Sequence, residues 1–260
     1  MSGFVRIRKG RNMLSVAMHV VLNLLLAVAS TTLTLVSGSW ILGVLLVVLS
    51  KWRVVAVRPR YWWLNIKANL VDFIVGVSLV LLVYYAGAEL NFAHVVLTLA
   101  YAVWLVWVKP KSSELMTEVQ AFVAVFFGLS AAVFIGVNMD PIVIVICSFV
   151  IGYGASRHVL IQGEDHDFSL VTFVAGLLLA EVSWLSYHWL IIYSVEKTGM
   201  MVPQMAILGT LLMFVFMKGY KSALKHDGKI RVGDVVAPAI FSGLIVVLMV
   251  VYFSKPLFNV

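Results

Sequence analysis

The amino-acid sequence predicts an all-α, polytopic membrane helix bundle of about nine transmembrane helices, with the N-terminus cytoplasmic and the C-terminus outside. Three observations carry that expectation. Hydrophobic residues make up 62% of the 260 residues and charged residues 12%, against roughly 45–50% and 25% in water-soluble domains. The apolar residues form long runs between short polar loops, and the mean hydropathy is +1.04. The lysines and arginines collect in alternate loops. The longest polar loop, Lys218 to Asp234, is too short to fold by itself. Residues 1–260 are therefore read as a single integral membrane domain.

Each span follows from length. A hydrocarbon core of about 30 Å takes roughly 20 apolar residues in helical form. From Met13 to Ser50 there is no Asp, Glu, Lys or Arg. As one helix that stretch would be about 57 Å long, so two spans are expected. Their turn is placed between Ser30 and Ser39, where Ser, Thr and Gly cluster. Ala27-Val28-Ala29 follows Arg6, Arg8, Lys9 and Arg11 in the manner of a signal cleavage site. The apolar run continues far past it, and a retained first span is the expectation.

Span three is read as Ala68 to Ala88, span four as Phe92 to Val108 and span five as Val119 to Val137. Span six is Pro141 to Ser156, with Asp140 as N-cap and proline in the first turn. Span seven is Phe168 to Tyr193, span eight is Pro203 to Met217, and span nine is Val235 to Ser254.

Charge fixes the orientation. With the N-terminus inside, the inner segments hold seventeen of the 19 lysines and arginines. The outer segments hold two, Lys197 and Lys255. A single crossing between Met13 and Ser50 would reverse every later loop and leave six inside against thirteen outside. Positive charge belongs on the cytoplasmic side, so the two-span reading holds. The formal net charge of +7 then points to anionic lipid headgroups as partners, with no nucleic-acid partner. Trp52, Tyr61, Trp62 and Trp63 stand in an inner loop with Arg53, Arg58 and Arg60. Such aromatics anchor at the interface, and Arg53, Arg58, Arg60, Trp62 and Trp63 form the expected headgroup site. An integral membrane location, the bacterial inner (plasma) membrane, is the matching expectation.

Glu181 is the sharpest chemical feature. It stands near the middle of span seven with no other formal charge between Phe168 and Tyr193. A charge at mid-bilayer costs on the order of 2.5–3.5 kcal/mol, so such an acid is a functional candidate and is expected to face the bundle or a cavity. Leu177, Glu181, Trp184, His188 and Ile191 share one helical face at this spacing. Glu181, Trp184 and His188 are the expected substrate or proton site. Four further polar residues lie at membrane depth. His19 and Asn23 are four apart and are expected to bond to another helix. Asp72, near the start of span three, suits the helix N-terminal dipole and the basic loops. His94, near the outer end of span four, is a candidate neighbour of His188.

Other chemistry is excluded or weak. The single cysteine, Cys147, permits no internal disulfide and no thiolate cluster. No phosphate-binding G-x-x-x-x-G-K-[ST] and no H-E-x-x-H occurs. Glu164, Asp165, His166 and Asp167 beside Arg157 and His158 match no metal-ligand spacing and are read as capping span seven. No metal, cofactor or catalytic residue is assigned. Gly154-Ala155-Ser156 lacks the glycine that follows the serine in rhomboid proteases, since Arg157 stands there.

Three functions stay open at this point. The first is a small-solute or ion transporter or channel with Glu181 as its acidic site. The second is a non-catalytic scaffold or subunit of a larger membrane complex, with a membrane-protein partner or a second copy of itself. The third is an intramembrane enzyme acting on lipid, which needs Asp72 and the Glu164 to Asp167 loop close together.

Overall fold

A computed structural model describes residues 13–137, 139–161, 168–195 and 198–253 of the chain. Helix makes up 82% of it. Among the described residues six helices are long and apolar enough to cross a membrane.

The first apolar stretch breaks into α1 (Met13–Ser37) and α2 (Trp40–Ser50). Gly38, at φ +60°, makes the turn, inside the window where serine and glycine cluster. Ser39 then caps α2, its side chain accepting from the Ile41 amide. The Arg- and Trp-rich segment after α2 carries two 3₁₀ turns and α3 (Trp62–Ala68). Span three is shorter than expected. It is α4 (Leu70–Tyr85), bent by 66° against the preceding helical segment at Asn69.

Span four is α5 (Phe92–Val103) continued by a π-helical turn, Trp104–Val108. The Lys109 amide reaches back five residues to the Trp104 carbonyl at 2.8 Å. Then come α6 (Glu114–Gly136) and α7 (Pro141–Leu160). Asp140 caps α7, its Oδ1 accepting from the Ile142 amide at 2.9 Å, and Pro141 fills the first helical position.

Span seven requires a correction. Its helix, α8 (Phe168–Tyr187), stops six residues before Tyr193. The His188 and Trp189 amides bond three residues back and tighten the last turn. The chain then forms an antiparallel hairpin of β1 (Ile192–Val195) and β2 (Met200–Pro203). Gly199, at φ +70°, sits in its turn. A short apolar run rich in β-branched and aromatic residues fits a strand as well as a helix, and hydropathy alone does not separate them. The fold is therefore helical with one small hairpin. After it, Pro203 caps α9 (Gln204–Lys225), and α10 (Val232–Phe253) ends the described chain.

Packing divides the interior into two main clusters. One joins α6, α7, α8 and α9 through Val125, Leu129, Ile144, Leu179, Met205 and Met213. The other joins α1, α2, α4 and α5 through Ala27, Val47, Val75, Leu79 and Tyr101. The bundle has two unlike ends. The hairpin lies at one, tied to the start of α5 by the Ala93 amide donating to the Thr198 carbonyl at 3.1 Å. Every lysine and arginine among the described residues falls toward the other, the basic end.

Candidate functional site

α7 and α8 approach closely because glycines face each other across them. A Cβ on Gly152 would lie 2.8 Å from the Ala175 carbonyl oxygen and 3.0 Å from the Gly176 Cα. A Cβ on Gly176 would lie 2.9 Å from the Phe149 carbonyl oxygen. Small residues let membrane helices meet backbone to backbone. Toward the hairpin end larger side chains bound a groove of about 870 Å³. Its walls are Asp140, Ile142 and Val145 on the α7 side and Leu177, Glu181, Trp184 and Leu185 on the α8 side.

Glu181 is exposed on the perimeter of the bundle rather than turned into its centre. With α8 ending at Tyr187, it also stands closer to the hairpin end than the sequence suggests. Six residues separate it from that end, about 9 Å of rise. Among the described residues it has no hydrogen-bond or ion-pair partner. Trp184, one turn along, is 46% exposed. The His188 ring meets it edge-on, with centroids 5.1 Å apart. His188 lies just beyond the helix and outside the groove lining. Ile191 has left the helix altogether. Of the expected face, Leu177, Glu181 and Trp184 line the groove and His188 braces the tryptophan.

Asp140 is the groove residue that sequence reasoning assigned only to capping. α7 and α8 are antiparallel and both 20 residues long. Asp140 therefore stands at the mouth, and Glu181 lies about 9 Å deeper along the helices. Pairing the two spans by length from their shared connection is the signal that brings the carboxylates to one groove.

A second polar site occupies the basic end. Asp72, in the first turn of α4, takes the Lys51 ammonium and, at 2.6 Å, that of Lys109. The Trp104 indole donates to its Oδ1 at 3.1 Å. The carboxylate thus joins the end of α2, the bend before α4 and the π-helical turn after α5. Burial pulls the Lys51 ammonium below its ordinary range, against the opposing pull of Asp72. The π turn frees backbone carbonyls, and Gln120 collects them. Its Nε2 donates to Val108 O and Lys111 O, both at 2.8 Å, while its Oε1 accepts from His158 Nε2 at 2.6 Å. Nearby, Glu118 accepts from Lys218 at 3.3 Å and also pairs with Lys221.

The remaining expected sites fall elsewhere. His94 is fully buried and does not reach His188. Its Nδ1 accepts from the Asn91 amide and its Nε2 donates to the Val83 carbonyl, both at 3.1 Å. Nδ1 belongs to the cap of α5 and Nε2 ties that cap to α4, so neither ring nitrogen is left for His188. His19 and Asn23 bond to each other at 3.2 Å on an exposed face of α1, so the pair is within one helix rather than between two. Arg53, Arg58, Arg60, Trp62 and Trp63 are exposed at the basic end. There Arg60 lies over the Tyr61 ring at 4.6 Å and Lys67 over Trp63 at 5.4 Å. Arg6, Arg8, Lys9, Arg11, Glu164, Asp165, His166, Asp167, Lys197 and Lys255 lie outside the described residues.

No family model, no curated protein and no solved structure matches the chain.

Proposed function

We propose that the chain is a multi-pass integral membrane protein that takes a small cationic solute or ion into the groove between α7 and α8, as the outer site of a transporter or channel. The observation that carries this reading is the Glu181 carboxylate, unpartnered among the described residues, in an open groove that is apolar apart from Asp140 at its mouth. A carboxylate at that depth is costly in a bilayer. A cation that enters beside it offsets the cost, and Asp140 at the mouth draws the cation in. On this reading the chain crosses the membrane nine times, with α2, α4 and α5 as its shorter crossings. The basic end is cytoplasmic, in a plasma membrane of bacterial type. Arg53, Arg58, Arg60, Trp62 and Trp63 meet anionic headgroups there.

A carboxyl-specific carbodiimide tests the site. The purified protein is placed in lipid vesicles and labelled across a pH series, and the modified residue is located by mass spectrometry. Modification of Glu181, together with loss of cation flux in labelled vesicles and in Glu181→Gln, is the expected result. An unlabelled Glu181 at every pH would sink the reading.

A second reading, a non-catalytic subunit of a larger membrane assembly, draws on α10. That helix packs chiefly on α9 and exposes Ile240, Phe241, Leu244, Val247 and Val251. Crosslinking in native membranes separates the two: a stable complex containing α10 favours the subunit.

A further inference from the structure

We infer that the ligand of the α7/α8 groove is a water-soluble organic cation with an apolar body, of the substituted-ammonium class, rather than a metal ion or a proton alone. The inference rests on the reading of the groove as a cation site and narrows what enters it.

The walls set the chemistry. Two carboxylates, Asp140 and Glu181, line the groove, and among the described residues no lysine or arginine does. The site is therefore complementary to positive charge. The rest of the lining is almost entirely apolar. A bare metal ion asks for six or more oxygen ligands, or for histidine and thiolate, and the walls offer two separated carboxylates. Their backbone positions are offset by about 9 Å along the helix axes, and among the described residues no third acid, histidine or cysteine completes a metal-holding group. Nor does a proton account for the 870 Å³ of volume, which lies within the range of small-molecule sites, about 300–1,000 Å³.

A substituted ammonium uses every wall. Its charge lies against the Glu181 carboxylate. Its methyl or methylene groups pack on Leu177, Val145 and Ile142. The exposed Trp184 ring, one turn from Glu181, supplies an aromatic face, and indole attracts such cations best among the side chains. The His188 edge contact holds that ring at the groove, so His188 is a positioning residue. Asp140 at the mouth raises the local cation concentration before entry.

The test uses protection of Glu181 from carbodiimide in the full-length protein. Vesicles of phosphatidylglycerol are used first, because they carry no ammonium headgroup. The probe is benzyltrimethylammonium, and its uncharged carbon isostere, neopentylbenzene, is the control. Sodium, potassium and magnesium form a third arm. The expected result is protection by the ammonium probe alone. Trp184→Leu keeps an apolar wall and is expected to weaken that protection by about 2- to 5-fold, the cation–π range at an exposed site.

Protection only by the inorganic cations would overturn the inference and leave the cation site standing. Equal protection by the neutral isostere would overturn it in favour of a merely apolar cleft. Protection in phosphatidylcholine vesicles without any probe would assign the groove to a lipid headgroup and overturn it as well. Labelling of Glu181 that nothing prevents would remove both the inference and the cation-site reading.

Discussion

Gly152 on α7 and Gly176 on α8 face each other so closely that a Cβ on Gly152 would stand 3.0 Å from the Gly176 Cα. That contact fixes the separation of the two helices and hence the width of the groove beyond it. The nearest obstructing atoms are backbone, the Ala175 carbonyl oxygen at 2.8 Å from a Cβ on Gly152 and the Phe149 carbonyl oxygen at 2.9 Å from one on Gly176, with the Phe149 ring next at 3.0 Å, and backbone does not swing aside. Gly176→Leu is expected to push α7 and α8 apart. Overpacking of this kind costs about 1–3 kcal/mol. Thermal unfolding in detergent should show a lowered midpoint, and Glu181 should react faster with carbodiimide. Gly243 on α10 has nothing within 4 Å of an added Cβ, so Gly243→Leu is the control and should leave both readouts near the parent.

The Asp72 cluster predicts an asymmetry between its partners. Lys51 has a side chain only 7% exposed, whereas that of Lys109 is 42% exposed. Asp72→Asn strands a buried ammonium, and breaking a buried pair on one side costs about 3–5 kcal/mol. Lys109→Gln removes a partner whose charge water already screens, for about 1 kcal/mol or less. The unfolding midpoint of Asp72→Asn should therefore fall well below that of Lys109→Gln. Equal midpoints would mean that the carboxylate is not the hub joining α2, α4 and the π turn.

The order of the helices was legible because long apolar runs, capping residues and charged breaks leave plain marks in sequence. Asp140-Pro141 marks the start of α7, and Ser39 with Gly38 marks the α1–α2 turn. The bend at Asn69, which falls among Lys67, Asn69 and Asp72, was read through as the start of span three, and the π turn at Trp104 was not legible, since it lies inside a uniformly apolar stretch. The hairpin was hidden for the same reason: Ile191 to Tyr193 extends the hydropathy of α8 without its conformation. Glu181 was read as facing the bundle or a cavity near mid-span. It lines a groove, but on the perimeter. The signal for its direction was present in the small residues. Thr172, Ala175, Gly176, Ala180 and Ser183 recur at helical spacing and are buried, so they mark the inward face of α8. Membrane helices turn small residues toward one another and large apolar ones toward lipid, the reverse of a soluble helix.

Asn91 joins the α4–α5 connection to the hairpin, and its replacement should loosen that end alone. Its Oδ1 accepts from the His94 amide at 3.2 Å, capping α5, and its Nδ2 donates to the Ala86 carbonyl at 2.7 Å. Gly199 in the hairpin turn comes so near that a Cβ there would lie 2.8 Å from Nδ2. Asn91→Ala removes the cap, worth about 1 kcal/mol, and leaves the Ala86 carbonyl without that donor. Asn91→Asp restores the acceptor but not the donor, so it should fall between the alanine variant and the parent. The Ala93 amide, which donates to the Thr198 carbonyl, is the local reporter. Hydrogen exchange at Ala93 and across β1 and β2 should quicken in Asn91→Ala, while amides around Leu129 and Met213 keep their protection. Faster exchange throughout the α6 and α9 core would contradict a local role, because it would make the hairpin part of the same cooperative unit as the bundle.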